Sequence, residues 1–166
     1  MSLLLVSTRS TDTVLETGND RKAEEARVTG APEIETRILL VDDDPHFLRV
    51  LSRVLSGENF QVTASSTACD AIEILRTSRF HLIICDLRMP DCDGLNFLQA
   101  LRQGGSDVPV IILTAYGEVE TYLEAMNAGA TEYLNKPIDS DQLLTVVRAC
   151  LRNHQNRRNH RRASAA

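Results

Sequence analysis

The sequence predicts a doubly wound α/β fold with a five-stranded parallel sheet, in the strand order 2-1-3-4-5, and five helices. Two observations predict this class. Short apolar runs alternate along the chain with segments in which apolar residues recur at helical spacing. Strict alternation of this kind indicates parallel strands joined by right-handed helical crossovers, with helices on both faces of the sheet.

In chain order the predicted strands are RILLV (37–41), FQVTAS (60–65), HLIICD (81–86), VPVIILT (108–114) and EYLN (132–135). The first is a continuous apolar run, the kind that is buried on both faces of a parallel sheet, and the third is also apolar. No GxGxxG sequence follows the first strand, which excludes the dinucleotide-binding arrangement. The flavodoxin-like order 2-1-3-4-5 remains.

A helix is predicted after each strand. The first has Asp44 as its N-cap and Pro45 in its first turn, and it ends at Gly57. The fourth runs roughly from Glu118 to Ala128. The apolar positions of the second, third and fifth helices are Ala68, Ala71, Ile72 and Leu75, then Leu95, Phe97, Leu98 and Leu101, then Leu143, Leu144, Val146, Val147, Cys150 and Leu151. Asp139 or Ser140 is expected to cap the fifth helix.

Composition divides the chain into three segments. Residues 1–36 are polar and are predicted to be a flexible arm, 37–152 form the α/β domain, and 153–166 form a basic tail. The net charge is −5, but residues 152–166 hold five arginines and no acid, which leaves −10 for the rest. The negative charge of the rest of the chain disfavours nucleic-acid binding there. Segment 152–166 is therefore the only candidate for binding nucleic acid.

The hydropathy of the chain bears on its location. No apolar run approaches the length needed to span a bilayer. The amino-terminal residues lack the basic region and the long apolar stretch of a signal peptide. We therefore expect a cytoplasmic protein that does not associate with a membrane.

Polar side chains stand at the predicted carboxyl ends of four strands. Asp42 and Asp43 follow the first strand, Asp86 follows the third, Thr114 ends the fourth and Lys136 follows the fifth. Strands one and three are neighbours in the predicted order, so the three carboxylates converge at the edge where such sheets bind ligands. A cation or a proton must neutralise them. Oxygen ligands alone are what Mg2+ prefers.

The same edge suits a phosphoryl group on Asp86. Lys136 can pair with a carboxylate or with a phosphoryl oxygen, and Thr114 can donate one hydrogen bond. Aspartate is an established phosphoryl acceptor, and positioning with charge neutralisation supplies most of the catalysis in such transfers. These residues therefore predict a phosphorylation site.

Residues 37 to about 152 resemble the receiver domain of two-component response regulators. The matching stretches are ILLVDDD, LIICDLRMPDCDG, VPVIILTAYG and AGATEYLNKP, and the resemblance as a whole covers all five strand ends. The resemblance implies that Asp86 is the phosphoacceptor. It also implies that Asp42, Asp43, Asp86 and the backbone carbonyl of Arg88 hold Mg2+.

Further roles are implied by the same resemblance. Lys136 would contact the phosphoryl group. Thr114 would move toward it, and Tyr133 would follow as an aromatic switch. The peptide bond between Lys136 and Pro137 would be cis.

The resemblance implies a regulator with no enzyme activity beyond self-phosphotransfer and autodephosphorylation. A sensor histidine kinase or a phosphotransfer protein would be the donor. Because only a short tail follows Leu151, we expect a single-domain protein whose output is a protein partner, a phosphorelay step or a phosphorylation-dependent homodimer.

Two other functions stay open. One is a Mg2+-dependent phosphatase with an aspartyl nucleophile, for which Asp42 and Asp44 have the right spacing, although Pro45 and the missing cap domain argue against it. The other is a receiver-like scaffold that works without phosphorylation, against which the complete site argues.

Two bulky residues are expected to influence the lifetime of the phosphoryl group. Arg88 lies two residues after Asp86, and Tyr116 lies two after Thr114. Both should flank the path of an attacking water, so we expect them to slow loss of the phosphoryl group. The alternative is that both side chains point into solvent.

Overall fold

The structure, a computed structural model, describes residues 35–90, 92–115 and 117–164. One five-stranded sheet lies within these ranges, and its order β2-β1-β3-β4-β5 confirms the prediction. Every neighbouring pair is parallel. The strands are β1 (Arg37–Val41), β2 (Gln61–Ser65), β3 (Leu82–Cys85), β4 (Val110–Thr114) and β5 (Glu132–Asn135). Nearly all of the predicted arm, residues 1–34, lies outside the described residues.

A helix follows each strand, as predicted. The described helices are α1 (Pro45–Ser56), α2 (Ala68–Thr77), α3 (Gly94–Gln103), α4 (Val119–Asn127) and α5 (Ser140–Ser164). None of them combines the length and the apolar character that crossing a bilayer requires.

The sheet separates two apolar clusters because successive strand residues point to opposite faces. Leu39 and Val41 of β1 pack with α2, α3 and α4 on one face. Ile38 and Leu40 pack with α1 and α5 on the other. The central strands β1, β3 and β4 are therefore buried on both sides, and the polar residues that follow them lie at their ends. The edge strands β2 and β5 are partly exposed.

Side-chain caps start the helices where the sequence predicts them. Asp44 accepts hydrogen bonds from the backbone N–H groups of His46 and Phe47, at 2.8 and 3.3 Å, and Pro45 occupies the first turn of α1. Asp139 accepts from the backbone N–H of Asp141 at 2.8 Å. Of the two expected caps of α5, Asp139 is therefore the one that supplies the side-chain oxygen.

The structure differs from the prediction most at the carboxyl end of α5. The predicted boundary between the α/β domain and the basic tail lies after residue 152, because no aliphatic residue beyond Leu151 continues the helical pattern. In the structure α5 runs without a break to Ser164, so residues 153–164 of the basic tail are helical. Helix propensity sustains these turns, since Arg and Gln lose little rotamer freedom in a helix.

Candidate functional site

Two buried aspartates share one lysine at the carboxyl end of the sheet. The Lys136 Nζ atom lies 2.6 Å from Oδ2 of Asp42 and 3.0 Å from Oδ1 of Asp86. The side chains of Asp42, Asp86 and Lys136 are only 6%, 8% and 18% exposed. One ammonium thus neutralises one of two carboxylates, and the pair keeps a net negative charge.

Hydrogen bonds between adjacent strand ends hold these residues in place. The backbone N–H of Asp86 donates to the carbonyl of Val41 at 2.8 Å, which extends the β1–β3 ladder by one residue. The N–H of Lys136 donates to the carbonyl of Thr114 at 2.7 Å, which does the same between β5 and β4. Each functional side chain is thereby fixed to the rigid sheet.

The remaining carboxylate oxygens also accept hydrogen bonds. Oδ1 of Asp42 accepts from the backbone N–H of Asp44 at 3.0 Å, and Oδ2 of Asp86 accepts from that of Arg88 at 2.9 Å. Both carboxylates are therefore oriented by backbone donors on one side and by Lys136 on the other.

Burial and charge act in opposite directions at this site. Burial raises the pKa of the Asp42 carboxyl above its usual range, and the hydrogen bond from Lys136 offsets this only in part. Burial alone would lower the pKa of Lys136, but its hydrogen bonds and charge interactions with Asp42 and Asp86 outweigh burial and raise it. Lys136 therefore stays protonated at neutral pH.

Two further residues shape the site, and the sequence analysis gave them no role there. The Phe47 ring lies 4.2 Å from Lys136 Nζ, measured to the ring centroid, which is within the range of a cation–π contact. Gly94 packs against the backbone of Asp86 and Leu87 so closely that a Cβ would overlap the Asp86 carbonyl oxygen. The sequence signal for Gly94 is the Asp-Gly pair that starts α3. Phe47 carries no such signal, since its spacing also suits a core position.

The acidic triplet divides into separate roles. Asp42 is buried within the site, whereas Asp44 caps α1, and those cap hydrogen bonds lower its pKa. Asp43 is exposed, and none of the described residues forms a hydrogen bond or an ion pair with it. Asp43 is thus available as a ligand, and Asp44 is occupied as a cap.

The donor set fits Mg2+ in chemistry and in charge. Asp42, Asp43 and Asp86 supply carboxylate oxygens, and with Lys136 they leave a formal charge of −2. Among the residues that the structure describes, no three His, Cys, Asp or Glu side chains form a complete metal-binding group. Mg2+ suits such an incomplete set because it usually keeps several waters and binds through one or two carboxylates.

The two predicted switch residues lie on adjacent strands. Thr114 is fully buried at the end of β4, and Tyr133 is half-buried on β5. The Tyr133 hydroxyl lies 2.8 Å from Oγ1 of Thr121, a residue of α4 that itself donates to the carbonyl of Glu118. The Tyr133 ring also makes an edge-to-face contact with Tyr122, with centroids 5.7 Å apart. In this structure Tyr133 is therefore tied to α4.

Two other implications of the resemblance have different outcomes. The peptide bond between Lys136 and Pro137 is cis, as expected. The side chain of Arg88 is exposed, while Tyr116 lies outside the described residues. The expected effect of these two residues on phosphoryl lifetime therefore stays a prediction.

The fold and the site define a class of protein: a doubly wound α/β domain with a buried Asp–Lys–Asp cluster and oxygen donors for a divalent cation. The chain belongs to the response regulator receiver domain family, which it matches over residues 38–148. Binding of Mg2+ and phosphorylation of an aspartate are general features of that family.

Curated relatives include transcriptional and two-component regulators. The chain is 39% identical over 113 residues to the transcriptional regulatory protein ZraR of Klebsiella oxytoca, a match that covers 68% of this chain and 26% of ZraR. It is 38% identical over 118 residues to the two-component response regulator ORR24 of Oryza sativa subsp. japonica, covering 70% and 19%. The chain thus matches about a quarter or less of the length of these relatives.

Solved receiver domains have the same fold. The CheY-like receiver domain protein from Methanospirillum hungatei JF-1 is 28% identical with a TM-score of 0.72, covering 74% of this chain and 98% of the other. The beryllofluoride-activated NtrC4 receiver domain dimer is 30% identical with a TM-score of 0.68, covering 71% and 98%.

Proposed function

We propose that Asp86 accepts a phosphoryl group from the phosphohistidine of a sensor histidine kinase or a phosphotransfer protein. The observation that carries the proposal is the placement of the Asp86 carboxylate. It is buried at a strand end, with Lys136 Nζ 3.0 Å from one oxygen and the Arg88 N–H 2.9 Å from the other. A carboxylate fixed in this way is positioned both to attack and to have its product neutralised.

The transfer forms one bond and breaks another. A carboxylate oxygen of Asp86 attacks phosphorus, and the P–N bond to the donor histidine breaks. Its electron pair stays on the ring nitrogen, and the histidine leaves as neutral imidazole after taking up a proton from solvent. Lys136 pairs with the phosphoryl oxygens, while the Arg88 N–H keeps the acyl group oriented.

Magnesium would be held by Asp42 and Asp43, the Asp86 carboxylate and the backbone carbonyl of Arg88. When bound, it would neutralise charge on the transferring phosphoryl group. Asp42 would also keep its hydrogen bond from the backbone of Asp44 and thereby its orientation.

The switch would release Tyr133 from α4. In the proposed sequence the Thr114 hydroxyl moves toward the phosphoryl group, and the Tyr133 ring moves into the space it leaves. That movement breaks the 2.8 Å contact between Tyr133 and Thr121, so α4 loses a hydrogen bond to the sheet. The signal thereby reaches the surface formed by α4, β5 and α5.

An exposed apolar surface on α4 supports output through a protein. Val119 is 70% exposed and Leu123 is 53% exposed, and Tyr122 lies beside them. Clusters of exposed apolar residues mark interaction sites. We propose a downstream protein or a second copy of the chain as the occupant, in line with the dimer formed by the activated NtrC4 receiver domain. The proposal places the domain in the cytoplasm, where kinases form phosphohistidine from ATP.

The phosphatase alternative has less support. In that class the second aspartate acts on the substrate, and here it would be Asp44. Its carboxylate instead accepts two backbone hydrogen bonds as the cap of α1.

The proposal is tested by incubating the full chain with acetyl phosphate and MgCl2 and measuring intact mass. We expect one phosphoryl adduct in the wild type, none in Asp86→Asn, and an undiminished adduct in Asp44→Asn. Asp44→Asn is the matched control, because Asn caps helices about as well as Asp. An equal adduct in Asp86→Asn would refute the assignment of the acceptor.

A further inference from the structure

A cavity of about 820 Å³ lies at the edge of the sheet opposite to Asp86, beside the amino ends of β3 and β4. Its walls come from the last turns of α2 and α3, from the loops that follow them, and from His154 and Arg158 of α5. The carboxyl-terminal extension of α5 therefore completes this cavity. The volume is within the usual range for small-molecule sites, roughly 300 to 1,000 Å³.

Positive charge dominates the cavity, which we call the basic cavity. Among the residues that line it, the arginines outnumber the acids: Arg76, Arg79 and Arg158 stand against Asp107. The formal charge is +2. The carboxyl ends of α2 and α3 together contribute about −1, so the excess of positive charge persists.

Two of the three arginines that line the cavity have no partner among the described residues. Arg76 is paired with Glu73 at 2.6 Å, but Arg79 and Arg158 have no ion pair and no side-chain hydrogen bond among the residues that the structure describes. Behind the cavity, the Arg37 guanidinium lies over the Phe80 ring, and its buried Nε has no hydrogen-bond partner. Unpaired guanidinium groups around a concave surface favour a bound anion.

Burial lowers the pKa of two histidines in the wall, and the charges of nearby arginines add to this effect. Burial, and then the charges of Arg158 and Arg37, lower the pKa of His81. Burial also lowers the pKa of His154, where the charges of the α5 arginines act in the same direction and Asp107 opposes them. The His81 Nδ1 atom accepts from the backbone N–H of Arg37 at 3.0 Å, so the proton of the neutral ring is on Nε2. The His81 ring therefore supplies another hydrogen-bond donor.

Five apolar side chains also line the cavity. They are Ile72, Leu75, Phe80, Leu101 and Val108. A purely inorganic anion would leave this surface in contact with water, whereas a ligand with a flat apolar group would cover it. The combination of an anionic subsite with an apolar surface is therefore complementary to a molecule that has both.

We propose that the basic cavity binds a small phosphate ester with an aromatic group, of the size of a nucleotide. Arg79 and Arg158 contact the phosphate, and the aromatic group packs beside Phe80. A nucleic-acid duplex is a poorer fit, because it would contact the exposed arginines and leave the apolar residues of the cavity uncovered. The proposal is independent of phosphorylation at Asp86.

Isothermal titration of the full chain with AMP tests the proposal, with adenosine and inorganic phosphate as the two halves of the ligand. We expect AMP to bind at least about tenfold more tightly than either half. Arg79→Gln and Arg158→Gln should each weaken AMP binding by about 10- to 100-fold. Arg162→Gln, an exposed charge on the same helix that does not line the cavity, should change it by less than about twofold.

Control measurements test whether the variants stay folded and whether AMP binds in the basic cavity. Circular dichroism should show unchanged helix content in each variant, and NMR shifts on AMP addition should centre on His81 and His154. Asp86→Asn should leave AMP binding within about twofold, since five residues at about 3.3 Å each separate the two edges. No AMP binding at millimolar concentration would overturn the proposal. So would equal losses in Arg158→Gln and Arg162→Gln, and so would a duplex DNA that binds more tightly than AMP.

Discussion

The carboxyl edge of the sheet, where the strands end, is acidic, and the amino edge, where the strands begin, is basic. The charged side chains at these two edges differ in their burial and in their partners. At the carboxyl edge Asp42 and Asp86 are buried, share Lys136 and are oriented by backbone donors. At the amino edge Arg79 and Arg158 are exposed and lack such partners among the described residues. Buried charges must be paired, which fixes their geometry. Exposed charges can stay unpaired because water solvates them, and here only the backbone positions them: Arg79 in the loop after α2 and Arg158 on α5.

The largest expected effect is on the rate of phosphorylation, which should depend on the carboxyl edge and not on the amino edge. Replacing Lys136 with Met removes the cation that faces Asp86 and should slow phosphorylation by acetyl phosphate about 100- to 1,000-fold. Arg158→Gln removes a cation from the other edge and should change the rate by less than about twofold. The measurement is the rate of adduct formation by intact mass. A comparable loss in both variants would mean that the edges are not independent.

The second effect concerns the cation. At a Mg2+ concentration 100 times its dissociation constant, bound Mg2+ should raise the free energy of unfolding by about 2.7 kcal/mol. Asp43→Asn removes an exposed ligand and should abolish most of this gain, whereas Arg79→Gln should leave it unchanged. Urea denaturation with and without MgCl2 measures the difference. Full stabilisation of Asp43→Asn would exclude Asp43 as a ligand.

A third, smaller effect is the energetic penalty of the buried carboxylate. Because burial raises the pKa of Asp42 above its ordinary value of 3.8, the folded state holds this proton at pH values where the unfolded chain has released it. The contribution of Asp42 to stability therefore falls as pH rises from 3.8 through the raised pKa.

Asp42→Asn removes this pH dependence and keeps the pair between Lys136 and Asp86. Without Mg2+ the variant should be about 1 kcal/mol more stable than the wild type near neutral pH, and this advantage should shrink in acid. Denaturation over a pH series measures the difference. An advantage that grows toward low pH would reverse the sign assigned to Asp42.

The smallest expected effect is on phosphoryl lifetime. Removing the bulk of Arg88 and Tyr116 together should speed loss of the phosphoryl group several-fold, because water then reaches phosphorus more easily. The decay of the adduct after removal of acetyl phosphate measures it. Arg49→Ala, which removes an exposed arginine from α1, is the control. Unchanged decay in the double variant would mean that both side chains point into solvent.

The carboxyl edge could be predicted from the sequence because its residues follow directly on apolar strands. Once the strand order is known, Asp42 and Asp86 must be neighbours, because β1 and β3 are adjacent. Lys136 follows β5, two strands away from β3, and only the structure shows that its long side chain reaches both carboxylates. The sequence did not show that Phe47 contacts Lys136, because a residue at a helical core spacing has the same pattern whether it meets a core neighbour or a cation.

The amino edge could not be predicted from the sequence. It depends on the direction of α5 beyond Leu151, where no apolar residue indicates a packed face. His154 and Arg158 reach the cavity only because the helix continues past the domain boundary that composition suggested. From the local sequence pattern alone, the residues that line this cavity cannot be distinguished from those of a solvated basic tail.

The length of α5 also has a mechanical consequence. Its 25 residues span about 37 Å at 1.5 Å per residue, while its buried residues, from Leu143 to Cys150, all lie in the first half. The part of α5 beyond Cys150 contains no buried residue, although Arg161 lies 3.6 Å from Asp107. From Cys150 to Ser164 the helix spans about 21 Å, so a tilt of about 5° about Cys150 would displace its last residue by about 2 Å. A small rearrangement beside β5 would therefore produce a larger displacement at the arginine-rich end.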